Sequence, residues 1–116
     1  MADPEESVQE IPTLEDLARE AESNPNDLSI QCRYGWALFA AEQYQEAQKI
    51  FSNASTRWPD EIEIQYALGL IYKDLGDQSS ARGSFQKAGL GQGDSIRQRM
   101  FQNMAEVQMG HLNRGT

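Results

Sequence analysis

A spacing of 34 residues relates two stretches of this chain, and it constrains the fold more than any other feature. Gly35 and Gly69 are 34 positions apart, and so are Phe51 and Phe85. The same interval separates Leu38 from Tyr72, Ala47 from Ala81, and Ala54 from Ala88. A fixed period of about 20 to 50 residues is typical of repeat architectures, in which each unit stacks on the next. The chain is therefore expected to fold as stacked repeats.

Apolar residues recur at helical spacing along most of the chain and predict six α-helices. The helices are expected at about 13–23, 28–41, 44–58, 62–75, 78–88 and 96–111. Thr13 and Asp16 have the spacing of a capping box, as do Asp60 and Glu63. Gly76 suits a C-terminal cap. The core residues expected of the sixth helix are Phe101, Met104 and Val107.

The repeated small residues have a packing role, because two antiparallel helices approach closely only where the facing side chains are small. Gly35 is expected to face Ala47 across the first hairpin, while Phe51 fills the space beside the crossing. The same roles recur one period later. Each hairpin then leaves an apolar face that a neighbouring unit must cover.

These positions resemble the tetratricopeptide repeat family, whose signature is an aromatic, then Leu-Gly and Tyr, then Ala-x-x-x-Phe and Pro. The first unit reads Gln31-x-x-Tyr34-Gly35-x-x-Leu38, Ala47-x-x-x-Phe51 and Pro59, and the second reads Gln65-x-x-Leu68-Gly69-x-x-Tyr72 and Ala81-x-x-x-Phe85. Both units have Gln in place of the leading aromatic, and the second lacks the Pro. The resemblance implies an all-α fold, a right-handed superhelical stack of antiparallel helix hairpins (a TPR-like α-solenoid) with about six helices.

The period divides one domain, residues 13–112, into two full repeats with a half repeat at each end. The expected segments are a disordered acidic leader (1–12), a half repeat (13–27), repeats (28–61 and 62–93), a half repeat or capping helix (94–112) and a frayed tail (113–116). In the last of these units Asn103-Met104-Ala105 is taken as the Leu-Gly region, shifted by two residues.

The net charge of −8 is concentrated at the N-terminus. Residues 1–27 hold nine acids and one base, which is already −8, so the other residues sum to zero. This segment is either a solvated leader or one end of a charge asymmetry that steers self-association or a basic partner. With no basic stripe and no apolar run near the ~20 residues of a membrane span, neither nucleic acid nor a membrane is an expected partner. A lone Cys32 and the lack of a signal peptide favour a cytoplasmic location.

Residue types that carry chemistry are scarce, so an enzyme is not expected. His111 is alone near the end of the last predicted helix, and one His with one Cys makes no structural zinc site. The Gly-rich run 89–93 follows a helix and lacks a Lys-Ser/Thr pair, so it fails as a phosphate loop. We expect no catalytic residue, no metal and no cofactor.

The resemblance implies that the first helix of each hairpin lines a concave groove. Residues expected to point into it are Cys32, Arg33, Trp36, Phe39, Tyr66, Leu70 and Lys73. Apolar anchors with basic residues beside them suit a peptide or helix of another protein. Family members that clamp acidic chaperone tails use Lys and Asn where this chain has Cys32, Trp36 and Ala67, so that ligand is not expected.

The sequence thus predicts a non-enzymatic adaptor or scaffold that binds a segment of a partner protein. The alternative is a structural unit that forms a homodimer or larger homo-oligomer, end to end by charge or through the last helix. Residues expected to serve that association are Met100, Phe101, Met104, Val107 and Met109.

Overall fold

Six α-helices joined by short turns make up the structure, a computed structural model that describes residues 11–114. They are α1 (Leu14–Ser23), α2 (Leu28–Ala40), α3 (Tyr44–Arg57), α4 (Ile62–Asp74), α5 (Gln78–Leu90) and α6 (Ile96–Arg114). No strand occurs between residues 11 and 114. The predicted all-α class with six helices is confirmed. Most of the expected acidic leader and the last two residues of the expected tail lie outside the described residues.

The 34-residue period reappears in the helix boundaries. Helices α2, α4 and α6 begin at Leu28, Ile62 and Ile96, which are 34 residues apart. The side chain of Asp27 caps α2 by accepting a hydrogen bond from Ile30 N (3.1 Å), and Ser95 Oγ accepts one from Gln98 N (3.1 Å) at the start of α6. Since α6 begins on the unshifted period, the expected shift by two residues does not occur.

A glycine–phenylalanine contact sets the close approach within each hairpin. The ring of Phe51 lies against the backbone at Gly35, and the ring of Phe85 lies in the same way against Gly69. Both rings are fully buried. The expectation that Gly35 faces Ala47 is corrected here, because the glycine makes room for the large ring.

Two of the predicted caps are confirmed. Asp16 N donates to Thr13 Oγ1 and Thr13 N donates to Asp16 Oδ2, both at 3.1 Å, which is a complete capping box. The bond from the Thr13 backbone, followed by the bond from Arg19, lowers the pKa of Asp16. Gly76 takes a positive φ of 85° after α4.

The capping box predicted at the start of α4 is wrong. The residue before the helix is Glu61, and it makes no side-chain cap hydrogen bond. Glu63 is turned into the protein, where its carboxylate binds two side chains from other helices.

Helix α4 is the centre of the molecule. It contacts α2, α3, α5 and α6, and every residue from Ile62 to Gly69 is buried. The helices pack in chain order, with further contacts between α2 and α4 and between α4 and α6, and the molecule measures 57 × 28 × 26 Å. The arrangement places the first helices of successive repeats side by side.

Helix α6 faces the core differently from the prediction. Ala105 is fully buried and Leu112 is 6% exposed, while Met104 and Val107, expected in the core, are exposed. The helix continues to Arg114, so residues 113 and 114 of the expected frayed tail are helical. Ala105 lies 34 positions after Ile71, another fully buried residue, so α6 packs on its neighbours in the same phase as α4.

Candidate functional site

One set of positions recurs along the same edge of α2, α4 and α6. Counted by the period, the sets are 28/32/36/39, 62/66/70/73 and 96/100/104/107. Their residues are Leu28, Cys32, Trp36 and Phe39; Ile62, Tyr66, Leu70 and Lys73; and Ile96, Met100, Met104 and Val107. Spacings of four, four and three residues keep each set on one face of its helix. We refer to each set as a stripe.

The α2 stripe is covered by α4. Cys32 belongs to a buried cluster with Ile64, Ala67 and Ile71 of α4, and the other members of the stripe pack against that cluster. Trp36 lies with its ring centroid 6.3 Å from that of Tyr66. The following first helix therefore buries most of this stripe.

The α4 stripe is covered in turn by α6. The Phe101 ring lies 5.6 Å from the Tyr66 ring, and Ile62 and Tyr66 share a buried cluster with Ala105. At the end of the stripe Lys73 Nζ donates a hydrogen bond to Gln108 Oε1 at 3.0 Å.

The third stripe, which we call the α6 stripe, is left open within the part of the chain that the structure describes. Its exposed fractions are 72% for Ile96, 57% for Met100, 37% for Met104 and 56% for Val107. Four large apolar side chains in a row on one helix are unusual for a surface with no function, since scattered single apolar residues are the norm. This stripe is the strongest candidate for a binding surface.

The seven residues predicted to line a concave groove do not form one open surface. Cys32 and Tyr66 are buried, and Phe39 and Leu70 are half-buried. Trp36 is half-buried beneath Phe101, with which it stacks at 6.4 Å and an angle of 11°. Only the two basic residues of the set, Arg33 and Lys73, are exposed. Helix α6 thus occupies much of the space in which a ligand was expected.

A carboxylate links the three first helices beside that stack. Glu63 is 7% exposed, and its Oε2 accepts a hydrogen bond of 2.8 Å from Trp36 Nε1. Its Oε1 accepts one of 3.1 Å from the Arg97 guanidinium, which lies 5.2 Å from the centre of the Phe101 ring. The group holds α2, α4 and α6 together, so its geometry is that of a structural contact.

Cys32 has no nucleophilic character in this setting. Burial, followed by the nearby Glu63 and Glu61 carboxylates, raises the pKa of its thiol to about 12. A thiol with that pKa is protonated at neutral pH, whereas the thiolate is the reactive form.

A cleft of about 590 Å³ remains open between the first turns of α2, α4 and α6. Of the predicted groove residues, Cys32, Arg33 and Trp36 line it. Glu61 and Arg97 add charges of opposite sign to its wall. The cleft is the part of the concave side that a ligand could still enter.

The residues expected to serve self-association separate into two groups. Phe101 and Met109 point inward and pack against the buried cluster of α4 and α5. Met100, Met104 and Val107 point outward. The sequence analysis did not include Ile96 among them. The period itself carried that signal, since Ile96 lies 34 positions after Ile62.

No protein-family model matches the chain, and no curated protein or solved structure is significantly similar to it. Between residues 11 and 114, no cluster of three or more His, Cys, Asp or Glu side chains could hold a metal ion. No helix in that same range has both the length and the apolar character needed to cross a membrane.

Proposed function

We propose that this chain is a tetratricopeptide-like interaction module, an adaptor or scaffold that binds a helix of a partner protein along the α6 stripe. The proposal includes the right-handed superhelical stack implied by the sequence resemblance and a cytoplasmic location. It assigns the chain a binding role and no catalytic one.

The observation that supports it is the open third stripe. The positions of the α2 stripe and the α4 stripe are covered by the next first helix of this chain, whereas Ile96 and Met100 are exposed. A surface built to receive a helix suits an amphipathic helix that contributes anchors at i, i+4 and i+7. Burying one Met or Val side chain contributes about 1.5–3 kcal/mol, so a few such contacts produce measurable binding.

The test is affinity capture with the full chain and extract of the source cell. The wild type is compared with a Met100→Glu/Val107→Glu variant, and Leu90→Glu serves as the matched control because Leu90 is also exposed but lies outside the stripe. We expect a protein that the wild type and the control retain and the double variant loses. The purified captured protein should then bind the wild type at least tenfold more tightly than the double variant. Equal capture and equal affinity for all three chains would refute the proposal.

A second candidate is the cleft between the first turns of α2, α4 and α6, which is what remains of the predicted groove. Its wall offers the half-buried Trp36 as an apolar anchor and Arg33 as an exposed cation. An extended peptide segment would suit this shape better than a helix. Arg33→Glu should weaken such binding and leave binding at the α6 stripe unchanged.

A further inference from the structure

We infer that the partner of the α6 stripe is a second copy of this chain, with the two α6 helices packed antiparallel about a two-fold axis. The inference rests on the proposed function, because it names the occupant of the same stripe. It depends on how the charged residues flank the stripe.

The stripe has the shape of one half of a helix pair. At about 100° per residue, Ile96, Met100, Met104 and Val107 lie within an arc of about 80°. Ile96 and Val107 are eleven positions apart, which is roughly 16 Å along the helix axis. That length matches about three turns of a second helix of the same kind.

The charges beside the stripe are arranged for antiparallel pairing. Arg99 and Glu106 are two turns apart and lie on the same edge of the stripe, beside Ile96. A two-fold axis across the helices brings this edge of one copy against the same edge of the other. With the centre of the crossing between 102 and 103, Arg99 of each copy faces Glu106 of the other, which gives two symmetric ion pairs.

Both charged residues are available for such pairs. Arg99 and Glu106 are exposed, and neither makes an ion pair with another residue of the range 11–114. A parallel pair would instead bring the Arg99 edge of one copy against the opposite edge of the other, which carries Arg97. Like charges would then meet, so the charge pattern favours the antiparallel arrangement.

End-to-end stacking, in which α1 of another copy completes a hairpin with α6, fits the residues less well. In the two hairpins, Phe51 and Phe85 rest on Gly35 and Gly69. One period after Gly69 the residue is Asn103, whose side chain leaves no room for a ring. On the same side of α6, Gln102 Nε2 already donates to the carbonyls of Gly89 (2.7 Å) and Gly91 (2.8 Å). This side of α6 is therefore polar and closed to a hairpin partner.

The experiment is analytical ultracentrifugation of the full chain over about 1–500 μM, since an interface below about 1,200 Å² supports weak, concentration-dependent association. The wild type should form a dimer, and Met100→Glu should raise its dissociation constant at least tenfold. Leu90→Glu, an exposed position outside the stripe, should leave the dimer unchanged. Circular dichroism checks that each variant keeps its helices.

Charge reversal tests the orientation. Arg99→Glu and Glu106→Arg should each dimerise poorly alone, because both inter-copy pairs become repulsive. An equimolar mixture of the two variants should associate more tightly than either variant by itself, since every facing pair is then attractive, and high salt should reduce the difference.

The two levels of the proposal fail differently. A wild type that remains monomeric at 500 μM, or a dimer that Met100→Glu does not affect, overturns the inference of a second copy. A mixture that associates no better than the single variants overturns the antiparallel arrangement. If the chain is monomeric but loses a captured protein partner on Met100→Glu/Val107→Glu, the proposed function stands while this inference falls.

Discussion

Gly35 lies so close to the ring of Phe51 that a Cβ atom at the glycine would be 2.6 Å from ring carbon Cε2. The ring cannot move away, because Phe51 is fully buried between α2, α3 and α4. The glycine is thus required by the space that the ring needs, although a glycine weakens a helix in general.

Gly35→Ala is expected to lower the free energy of unfolding by about 1–2 kcal/mol. Overpacking costs roughly 1–3 kcal/mol, and the better helix propensity of Ala returns no more than about 1 kcal/mol of it. Urea denaturation followed by circular dichroism measures the difference.

Gly83→Ala is the matched control, because Gly83 is also inside a helix but has no atom within 4 Å of its Cβ position. There we expect a gain of about 0.5–1 kcal/mol. The same sign for both substitutions would contradict the steric role of Gly35.

Glu42 and Gly76 occupy the same place in successive repeats, and both have positive φ, 61° and 85°. A left-handed conformation costs a residue with a side chain roughly 1–2 kcal/mol, which a glycine avoids. Glu42→Gly should therefore stabilise the protein by about 0.5–1 kcal/mol, after the entropy that glycine adds to the unfolded chain is subtracted. Thermal unfolding should show a higher Tm for Glu42→Gly and a lower one for Gly76→Ala, and a lower Tm for both would show that the Glu42 conformation is unstrained.

The repeat unit could be predicted from the sequence because its determinants are local. Glycine, phenylalanine and the cap residues recur at fixed positions, and each acts on neighbours within the same hairpin. The starts of α2, α4 and α6 follow the same period. These features need only spacing and the known preferences of the residue types.

The candidate site was harder to predict, since it depends on how the first helices lie against one another. Trp36 and Tyr66 have the spacing of groove residues, yet Phe101 covers both of them. Glu63 fits a capping box by its spacing, but Trp36 and Arg97, 27 and 34 positions away in the chain, determine its place. Nothing within a single hairpin indicates such contacts. The orientation of α6 was missed because Asn103 replaces the glycine that marks the phase of the other first helices.

Trp36→Phe should lower the free energy of unfolding by about 1–2 kcal/mol at any salt concentration. The phenyl ring retains part of the packing against Phe101 but has no N–H group, so the buried Glu63 carboxylate loses the donor that now lies 2.8 Å away. Leaving a buried acceptor with one partner fewer costs about that amount. Urea denaturation at low and high salt is the measurement.

Arg97→Gln is the comparison for that substitution. The Arg97 side chain is 70% exposed, so its ion pair with Glu63 is screened by solvent and contributes less than about 1 kcal/mol. Its loss should shrink as salt rises, whereas the loss in Trp36→Phe should not. If Trp36→Phe unfolds at the same urea concentration as the wild type, the indole hydrogen bond makes no net contribution.

Cys32 should resist alkylation as long as the chain is folded. Burial raises the pKa of its thiol from 9.0 to about 12, so at pH 8 the reactive thiolate is scarce and the sulfur is also shielded. Iodoacetamide labelling followed by mass spectrometry should be slow in buffer and fast in denaturant. The same shift lowers stability at alkaline pH: below pH 9 the thiol is protonated in both states, but between about pH 9 and 12 only the unfolded chain gives up the proton. Cys32→Ala should therefore lose less stability than the wild type over that range, and a rapid reaction of the folded wild type at pH 8 would contradict the buried position of the sulfur.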